Sequence, residues 1–542
     1  MSKHHLLPKL TSGVRRTVSK QTVFGGLAGR VGATGDKIGD MLNMTSEFYP
    51  AMSVRNGWRR MSDLFAEDAV PNGIFYYKQL YVVCDKTLYR VLSAGIATPL
   101  YTQLSDTPKS MTAFNEKLYI FPDGVIVDLQ TEAVSLIDVD IRLSSGVTFE
   151  DCDIVSSDYN FQANGFSAGD GVVVTVYGTL EGVKETHRYT VLSVSGKRMT
   201  LDGKPTMSGV YWRIQRSAPA LEGVCVAQNR MWGFQGKNIY ACAEGNGCNW
   251  LTSPEEEALM VGRTEGDPVI LSTSSAGNVL ACAAWRDYAI FLKEEYIGKV
   301  LCHGAGRYEL AEIHAVGVTS DTRHSVCEAE GRLYYASSRG VYAYDGGYPQ
   351  RIATPWETKM SYASGGSDGR RYYLSCGDEE GKTYTYIYDI DCDAWYKQDE
   401  TYAMMMTSAK NHVYMVDNAC TLIYTDGAWG KDTFLQNRNE YTLALHSMVE
   451  FCDEIVGIPD GVRLHKLYLS CKSEEGSSMA VFVAYDGEKD YSLLGTVSGA
   501  RDGWVELVVP VVRCRYYRLK LDMLGPWRIY ALHKEYEMGR QR

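Results

Sequence analysis

Residues 111–127, MTAFNEKLYIFPDGVIV, contain the pattern that decides the fold of this chain of 542 residues. An apolar run ends in a polar turn at Asn115 and Glu116, a second run begins at Leu118, and an Asp-Gly turn leads to a third run. Short runs of alternating residues bounded by turn residues are typical of antiparallel hairpins. The stretch therefore predicts three successive strands of one small sheet.

The same pattern recurs along the chain. Measured at the position equivalent to Leu118, the copies lie at residues 80, 118, 231, 289, 333, 372 and 413, so the steps are 38, 113, 58, 44, 39 and 41 residues. Four of the six steps are close to the roughly 40–50 residues of a propeller blade. Small sheets repeated at this period bury their faces against one another and close into a ring. We therefore predict a β-propeller of six or seven blades.

Tyrosine is unusually frequent, with 38 residues against 14 phenylalanines. An aromatic ring can fill the wedge between two blades while its hydroxyl reaches a loop or water. A stacking surface for sugars or bases is the alternative. We predict strand packing for the tyrosines that fall on predicted strands, namely Tyr81, Tyr119, Tyr240, Tyr334, Tyr342, Tyr344, Tyr384, Tyr386, Tyr388, Tyr414 and Tyr424.

Two parts of the chain depart from the blade pattern. The step of 113 residues leaves room for an insertion with its own short strands, and the strands near the C-terminus are longer and alternate regularly. A small barrel fits the first part and a sandwich fits the second. The prediction is an all-β protein with an extended N-terminal arm at 1–60, first propeller blades at 61–139, an inserted small β-barrel at 140–216, remaining blades at 217–432 and a C-terminal β-sandwich at 433–542.

The composition excludes several classes of protein. Hydrophobic residues make up 45% of the chain and charged residues 22%, which is typical of a globular protein. There is no apolar run of about 18 residues, so we expect no membrane insertion. The net charge of -11 argues against a nucleic-acid binder that uses a basic patch. The 14 cysteines form no C-x-x-C pair, and we expect free thiols in a reducing cytosol.

The first 20 residues carry five cations and no acidic residue. They lack the apolar stretch of a signal peptide, so we expect synthesis and folding in the cytosol. The segment is either a solvated tail or an arm that docks on an acidic surface of a partner. On the second interpretation the candidate partner-contact residues are Lys3, Lys9, Arg15, Arg16 and Lys20.

The sequence contains no motif that would make it an enzyme of a familiar class. A Walker loop, a G-x-S-x-G elbow, an H-E-x-x-H helix and a dinucleotide fingerprint are all missing. The carboxylates Asp287, Asp345 and Asp368 lie in predicted turns, where aspartate is favoured for capping the backbone. We predict no enzymatic activity, no catalytic residues and no cofactor.

One stretch resembles the start of a calcium loop. Asp389, Asp391 and Asp393 have the D-x-D-x-D spacing, but Ala394 stands at the sixth position, where the EF-hand requires glycine. The histidines, His303, His314 and His324 among them, show no metal-ligand spacing. We therefore predict no metal site.

Several stretches, in order, resemble a family of bacteriophage tail structural proteins from phages and prophages of gut Firmicutes. They are residues 23–27 (VFGGL), 40–50 (DMLNMTSEFYP), 333–347 (LYYASSRGVYAYDGG), 365–375 (GGSDGRRYYLS) and 511–530. The layout is also similar to the propeller-based hub or nozzle proteins of short-tailed phages, which include packaged-DNA stabilisation proteins. The chain departs from the pattern at residues 28–30, AGR, where an Asn-Arg pair is more usual.

The resemblance implies a structural virion protein that forms a ring, expected to be a hexamer, around the DNA exit channel and retains and then passes the genome. It implies the portal, the adaptor and other tail proteins as partners, transient non-specific passage of DNA, and a place in the virion tail after synthesis in the host cytoplasm. The acidic net charge agrees, because it repels phosphates. The alternatives are a distal tail protein that recognises host cell-surface glycan, and a propeller glycosidase with paired carboxylates.

Overall fold

The computed structural model describes residues 16–28, 36–66, 68–92, 95–144, 147–178, 182–204, 206, 209, 211–260, 264–304, 306–356, 359–378, 380–409, 411–436, 439–455 and 461–538. Over these ranges the chain forms 49 β-strands and one short 3-10 helix. The predicted all-β class is therefore confirmed. In this described part, no helix has the length and apolar character needed to span a membrane.

The N-terminal segment that was predicted to be an extended arm contributes short strands to two different parts of the fold. These strands are β1 (Arg16–Gln21), β2 (Ile38–Leu42), β3 (Met44–Thr45), β4 (Met52–Val54) and β5 (Arg59–Met61). Strands β1, β2 and β4 pair with strands near the C-terminus, β3 pairs with β4, and β5 enters the propeller. The two ends of the chain are therefore built into one structure.

Blades 1 and 2 follow directly, and each is a four-stranded antiparallel sheet in sequence order. Blade 1 consists of β6 (Pro71–Tyr77), β7 (Gln79–Cys84), β8 (Thr87–Leu92) and β9 (Ile96–Tyr101), and blade 2 of β10 (Ser110–Phe114), β11 (Lys117–Phe121), β12 (Val125–Asp128) and β13 (Val134–Leu136). Blade 2 contains the stretch 111–127, and its three runs are β10, β11 and β12.

The inserted module is a seven-stranded sheet in the order β14-β20-β17-β18-β19-β16-β15. All seven strands contribute side chains to one apolar core, so the sheet curls into a small barrel. The strands are β14 (Val139–Leu143), β15 (Val147–Glu150), β16 (Asp153–Ser156), β17 (Gly171–Tyr177), β18 (Lys184–Ser195), β19 (Arg198–Leu201) and β20 (Tyr211–Arg216).

Blades 3 to 6 repeat the four-stranded plan. Blade 3 consists of β21 (Gly223–Ala227), β22 (Arg230–Gln235), β23 (Asn238–Ala241) and β24 (Val269–Ser272), and blade 4 of β25 (Ala281–Trp285), β26 (Tyr288–Leu292), β27 (Tyr296–Cys302) and β28 (Tyr308–His314). Blade 5 consists of β29 (Cys327–Ala329), β30 (Arg332–Ser337), β31 (Gly340–Tyr344) and β32 (Gln350–Ile352), and blade 6 of β33 (Tyr362–Ser367), β34 (Arg371–Gly377), β35 (Thr383–Asp389) and β36 (Ala394–Lys397). The 3-10 helix, Pro254–Leu259, lies between β23 and β24.

Blade 7 closes the ring with a strand from the other end of the chain. It consists of β37 (Ala403–Ala409), β38 (His412–Asp417) and β39 (Leu422–Tyr424), with β5 as the fourth strand and β40 (Lys431–Gln436) and β41 (Asn439–Ala444) beyond it. Strand β5 pairs antiparallel with β39 and parallel with β40. The first strands of blades 7 and 1 are neighbours, as are those of every consecutive pair of blades. The propeller thus has seven blades, and the predicted fold is confirmed.

The C-terminal sandwich contains two sheets over a shared apolar core. One has the order β3-β4-β49-β43-β46, with β1 beside β49 and β47 beside β43, and the other has the order β2-β42-β48-β44-β45. The strands that complete them are β42 (His446–Phe451), β43 (Val462–Ser473), β44 (Ser478–Tyr485), β45 (Ser492–Ser498), β46 (Arg501–Val508), β47 (Arg513–Cys514), β48 (Tyr517–Leu524) and β49 (Trp527–Met538). The same core includes side chains of blades 5 and 6, so sandwich and propeller pack together.

The hairpin that opens a blade has a recurrent backbone conformation. In blades 2, 3 and 4 both central residues of the turn have positive φ: 49° and 57° at Asn115–Glu116, 55° and 53° at Gln228–Asn229, and 43° and 63° at Arg286–Asp287. Two-residue turns of this kind match the right-handed twist of the strands they join. Asparagine and aspartate tolerate positive φ better than most residues, which explains their place in the repeat.

The tyrosine prediction is also confirmed. Of the eleven named tyrosines, nine are buried, and Tyr384 and Tyr414 are half-buried. The Tyr334 ring of blade 5 stacks on the Tyr372 ring of blade 6 with 5.6 Å between the ring centroids. Burial raises the pKa of Tyr334, as expected for a phenol removed from water. The rings fill the wedges between blades.

Ring closure by β5 predicts the effect of a proline in that strand. Since β5 is paired on both edges, the backbone N–H of Arg60 faces a neighbouring strand whichever way it points, so Arg60→Pro removes one ladder hydrogen bond and leaves its acceptor unpaired. We expect the free energy of unfolding to fall by roughly 1–3 kcal/mol more than in Arg60→Ala. The alanine variant is the control because the Arg60 side chain itself donates hydrogen bonds to Asp399 and Thr401. Equal unfolding curves for the two variants, measured in urea, would contradict closure by β5.

Candidate functional site

A cavity of about 500 Å³ lies at the centre of the propeller. Its wall contains residues from the first strand of each of the seven blades. Small side chains keep it open, among them Ser110, Ala281 and Ser408. Gly365 packs closely, because a Cβ atom there would lie 2.6 Å from the carbonyl oxygen of Ser325. The central cavity is therefore a product of ring closure rather than of any single blade.

Two adjacent basic side chains, Arg323 and His324, line the central cavity. The Nε atom of Arg323 donates to Nε2 of His324 at 3.3 Å. The His324 imidazole is in contact with solvent, but it lies inside the cavity with protein atoms around it. This partial removal from bulk water, together with the Arg323 charge, lowers the pKa of His324 to about 4. Among the described residues Arg323 has no ion-pair partner. The pair thus presents one cation and one neutral ring at physiological pH.

A second notable feature is the free edge of the sandwich at β46. In the part of the chain that the structure describes, β46 pairs only with β43. Its outward side chains include Trp504, which is 57% exposed, and Val508, which is 68% exposed. Near this edge, Leu493, Val511 and Val512 are also exposed. A long apolar edge strand is a template for pairing with another chain.

Charge is balanced along this edge strand. Nζ of Lys466 on β43 lies 2.6 Å from Oε1 of Glu506 on β46. Across the same face, the Trp504 ring lies 4.7 Å from the His533 ring between centroids. The face therefore combines aromatic surface with a neutralised carboxylate.

The structure describes two of the five basic N-terminal residues, Arg16 and Lys20. Lys3, Lys9 and Arg15 lie outside the described residues. Arg16 and Lys20 belong to β1, opposite Glu537 and His533 of β49. The Arg16 guanidinium pairs with Glu535 at 2.8 Å. Contact of this segment with a partner stays a prediction, and its described end is a strand of the chain's own sandwich.

The carboxylates weighed for catalysis lie in separate turns. Asp287 accepts a hydrogen bond from the backbone nitrogen of Gln228 at 2.6 Å and so links blades 4 and 3. Asp368 accepts from the backbone nitrogens of Arg370 and Arg371, and Asp345 is exposed in the connection between β31 and β32 of blade 5. Backbone capping accounts for the first two.

The possible calcium loop does not bring its carboxylates together. Asp389 is buried and accepts from the Ser46 hydroxyl at 2.5 Å, whereas Asp391 accepts from Nε of Arg370 at 2.9 Å. Asp393 accepts from the Tyr388 hydroxyl at 2.6 Å. Within the described ranges, no group of three or more histidine, cysteine, aspartate or glutamate side chains is placed to hold a metal ion.

The remaining histidines weighed as ligands have local partners. Nε2 of His303 lies 2.8 Å from Oε2 of Glu309, and the His314 ring packs edge-on against Tyr296. The sequence patterns did not point to Arg323, Trp504 or Val508. The apolar residues in 504–508 could have suggested a strand with an exposed apolar face, but only the sheet order shows that one edge of β46 is unpaired.

Comparison with known proteins gives similarity at the level of solved structures only. No family model matches the chain, and no curated protein does. Solved structures that match include the RRP9 WD40 repeats (6% identity, TM-score 0.39, covering 69% of this chain and 98% of that one), U3-55K (6%, 0.38, 68% and 98%) and the Neurospora crassa Pan2 WD40 domain (7%, 0.34, 66% and 89%). Identity this low says nothing about what the chain does.

The identification as a bacteriophage tail protein was wrong. The matching structures named above are WD40 propellers and none of them is a tail protein, so they give no support to a virion hub or nozzle, to DNA ejection, to a glycan-binding tail tip or to a place in the virion tail. The residues behind the resemblance have structural roles instead. Stretch 333–347 is the hairpin of β30 and β31, and Gly26 in the first motif has a φ of 78° beside Ala394. In these two stretches, hairpin and packing requirements account for the residues.

The His324 environment predicts a specific pH dependence. Its folded pKa of about 4 lies below the ordinary value near 6.5, so the unfolded chain binds the proton more readily between these pH values. The His324 contribution to stability is therefore complete above pH 6.5 and is lost as the pH falls towards 4. We expect the unfolding temperature of His324→Gln to depend less on pH across this window than that of the wild type. Parallel pH profiles for the two proteins would contradict the assignment.

Proposed function

We propose that this protein is a non-catalytic scaffold that associates with a second copy of itself through the free edge of its sandwich. The observation that carries the proposal is the exposed strand β46, with Trp504 and Val508 on its outward face. Exposed apolar surface of this kind on a soluble protein marks an interaction site. The propeller supplies a rigid body, and the sandwich supplies the contact.

The sequence of β46 favours a copy of itself as the partner. Residues 504–508, WVELV, have apolar residues placed symmetrically about Glu506. When two copies pair antiparallel with Glu506 at the centre, Trp504 lies opposite Val508 twice, and Val505 lies opposite Leu507 twice. Cross-strand pairs of aromatic and β-branched residues each contribute roughly 0.2–1 kcal/mol. The resulting contact is isologous, as a two-fold dimer requires.

The central carboxylates do not oppose this arrangement. Two Glu506 side chains would face each other across the two-fold axis, where like charges destabilise a sheet. Each carries its own ion pair with Lys466, so two cations flank the two anions. The unit proposed here is a pair of copies joined at β46, which differs from the hexameric ring that the resemblance implied.

A charge placed on this edge should weaken the association. We expect Val508→Lys to weaken dimerisation by about tenfold or more, because it sets an unpaired charge opposite Trp504 of the second copy. Ile96→Lys is the matched control, since Ile96 is exposed on the outer strand of blade 1 and lies far from β46 in the topology. Sedimentation velocity over a concentration series gives the measurement. A wild type that stays monomeric, or equal dissociation constants for both variants, would refute the proposal.

The net charge predicts how salt affects the association. Each copy carries a net charge of -11, so two copies repel each other at low ionic strength. Raising sodium chloride from about 50 to about 300 mM should strengthen dimerisation roughly threefold, because salt screens this repulsion while the apolar pairs persist. Sedimentation at the two salt concentrations tests it. A contact held by ion pairs would instead weaken.

A further inference from the structure

Two cysteines meet at the seam where the propeller ring closes. Cys84 is the last residue of β7 in blade 1, and Cys420 lies in the turn between β38 and β39 of blade 7. Their Sγ atoms are 2.9 Å apart, although 336 positions separate them in the chain. Cys84 is 2% exposed and Cys420 is 1% exposed. Both belong to the apolar cluster that contains Met61 of the closing strand β5.

We propose that Cys84 and Cys420 are a disulfide site that locks the propeller ring across its closure seam. The two sulfur atoms already touch, and a bond of about 2.05 Å needs them to approach by less than an ångström. The pair joins the first blade to the last one, which is the junction that opens when β5 leaves blade 7. A covalent link at this position therefore holds the ring closed.

The bond forms by thiol–disulfide exchange with a small-molecule disulfide such as oxidised glutathione. One thiol loses its proton and attacks the oxidant, giving a mixed disulfide and releasing one glutathione thiolate. The second cysteine, as thiolate, then attacks the protein sulfur of the mixed disulfide and releases the second glutathione thiolate. Two protein thiols are oxidised, one oxidant disulfide is reduced, and two protons leave to solvent.

The closed seam protects the pair in either redox state. Contact with Cys420 and burial raise the pKa of Cys84, so little thiolate is present while the blades are packed. Exchange therefore takes place when the seam opens transiently or before the ring closes during folding. Once formed, the bond is shielded from reductants by the same packing.

The consequence for stability follows from the length of the closed loop. A cross-link between distant positions constrains the unfolded chain more than one between near positions. A second cysteine pair provides a comparison, because Cys225 and Cys282 lie on the first strands of blades 3 and 4. Contact with Cys225 and burial raise the pKa of Cys282. A link there would join consecutive blades and leave the closure seam free.

The test uses the full chain, incubated with oxidised glutathione in moderate urea and compared with a sample kept in dithiothreitol. Tryptic digestion without reduction, followed by mass spectrometry, should show a peptide pair linked through Cys84 and Cys420 in the oxidised sample only. The oxidised protein should unfold about tenfold more slowly in concentrated urea. Dithiothreitol should reverse this change.

Two single variants distinguish the Cys84–Cys420 disulfide from general effects of oxidation. Cys420→Ala should lose both the linked peptide and the slow unfolding, whereas Cys282→Ala should keep both. The double variant Cys84→Ala/Cys420→Ala, measured in dithiothreitol, gives the baseline for any loss of packing. Absence of the linked peptide after oxidation in urea would overturn the proposal. The proposal would also be overturned if oxidation slowed unfolding equally in the wild type and in Cys420→Ala.

Discussion

The pairing of β5 between β39 and β40 is the interaction on which the rest of the structure depends. Three residues near the N-terminus, Arg59–Met61, supply the fourth strand of a blade whose other strands lie beyond residue 400. Without β5 the last blade has a bare edge, and the stacking of blades around the central cavity loses its end point. Every wedge filled by a tyrosine presupposes this closed circle, because a propeller blade buries its faces only against two neighbours.

The closing strand also determines where the sandwich sits. Just before β5, the buried Arg55 pairs with Asp432 at 2.9 Å and with Asp399 at 3.3 Å, and it lies over the Trp58 ring. Its Nε donates to Asn43, which lies between two strands of the N-terminal segment. A buried cation with this many partners is costly to misplace, since each lost partner leaves a charge unpaired. The network therefore fixes the sandwich against blades 6 and 7.

The sequence allowed the blades to be predicted because their hairpins are local. Turns such as Asn115–Glu116 and the apolar runs on either side of them repeat at the blade period, and each hairpin is readable within some twenty residues. Closure by β5 could not be predicted in this way, since a strand of three residues has no periodicity and its partners lie far along the chain. The same holds for Arg323, for the free edge of β46 and for the contact between Cys84 and Cys420. These depend on which elements become neighbours in space.

The locality of hairpins also explains why ordered motifs pointed to the wrong family. A stretch such as 365–375 is constrained by its turn: Asp368 caps the backbone of the following residues, and Gly369 has a φ of 98°. These residue types are required by the turn itself, so the motif is evidence of the turn and not of the role of the protein. Residues that the fold does not require are more informative. Trp504 and Val508 expose apolar area at an edge strand where a charged residue would serve the monomer better, and the proposed self-association would explain their presence there.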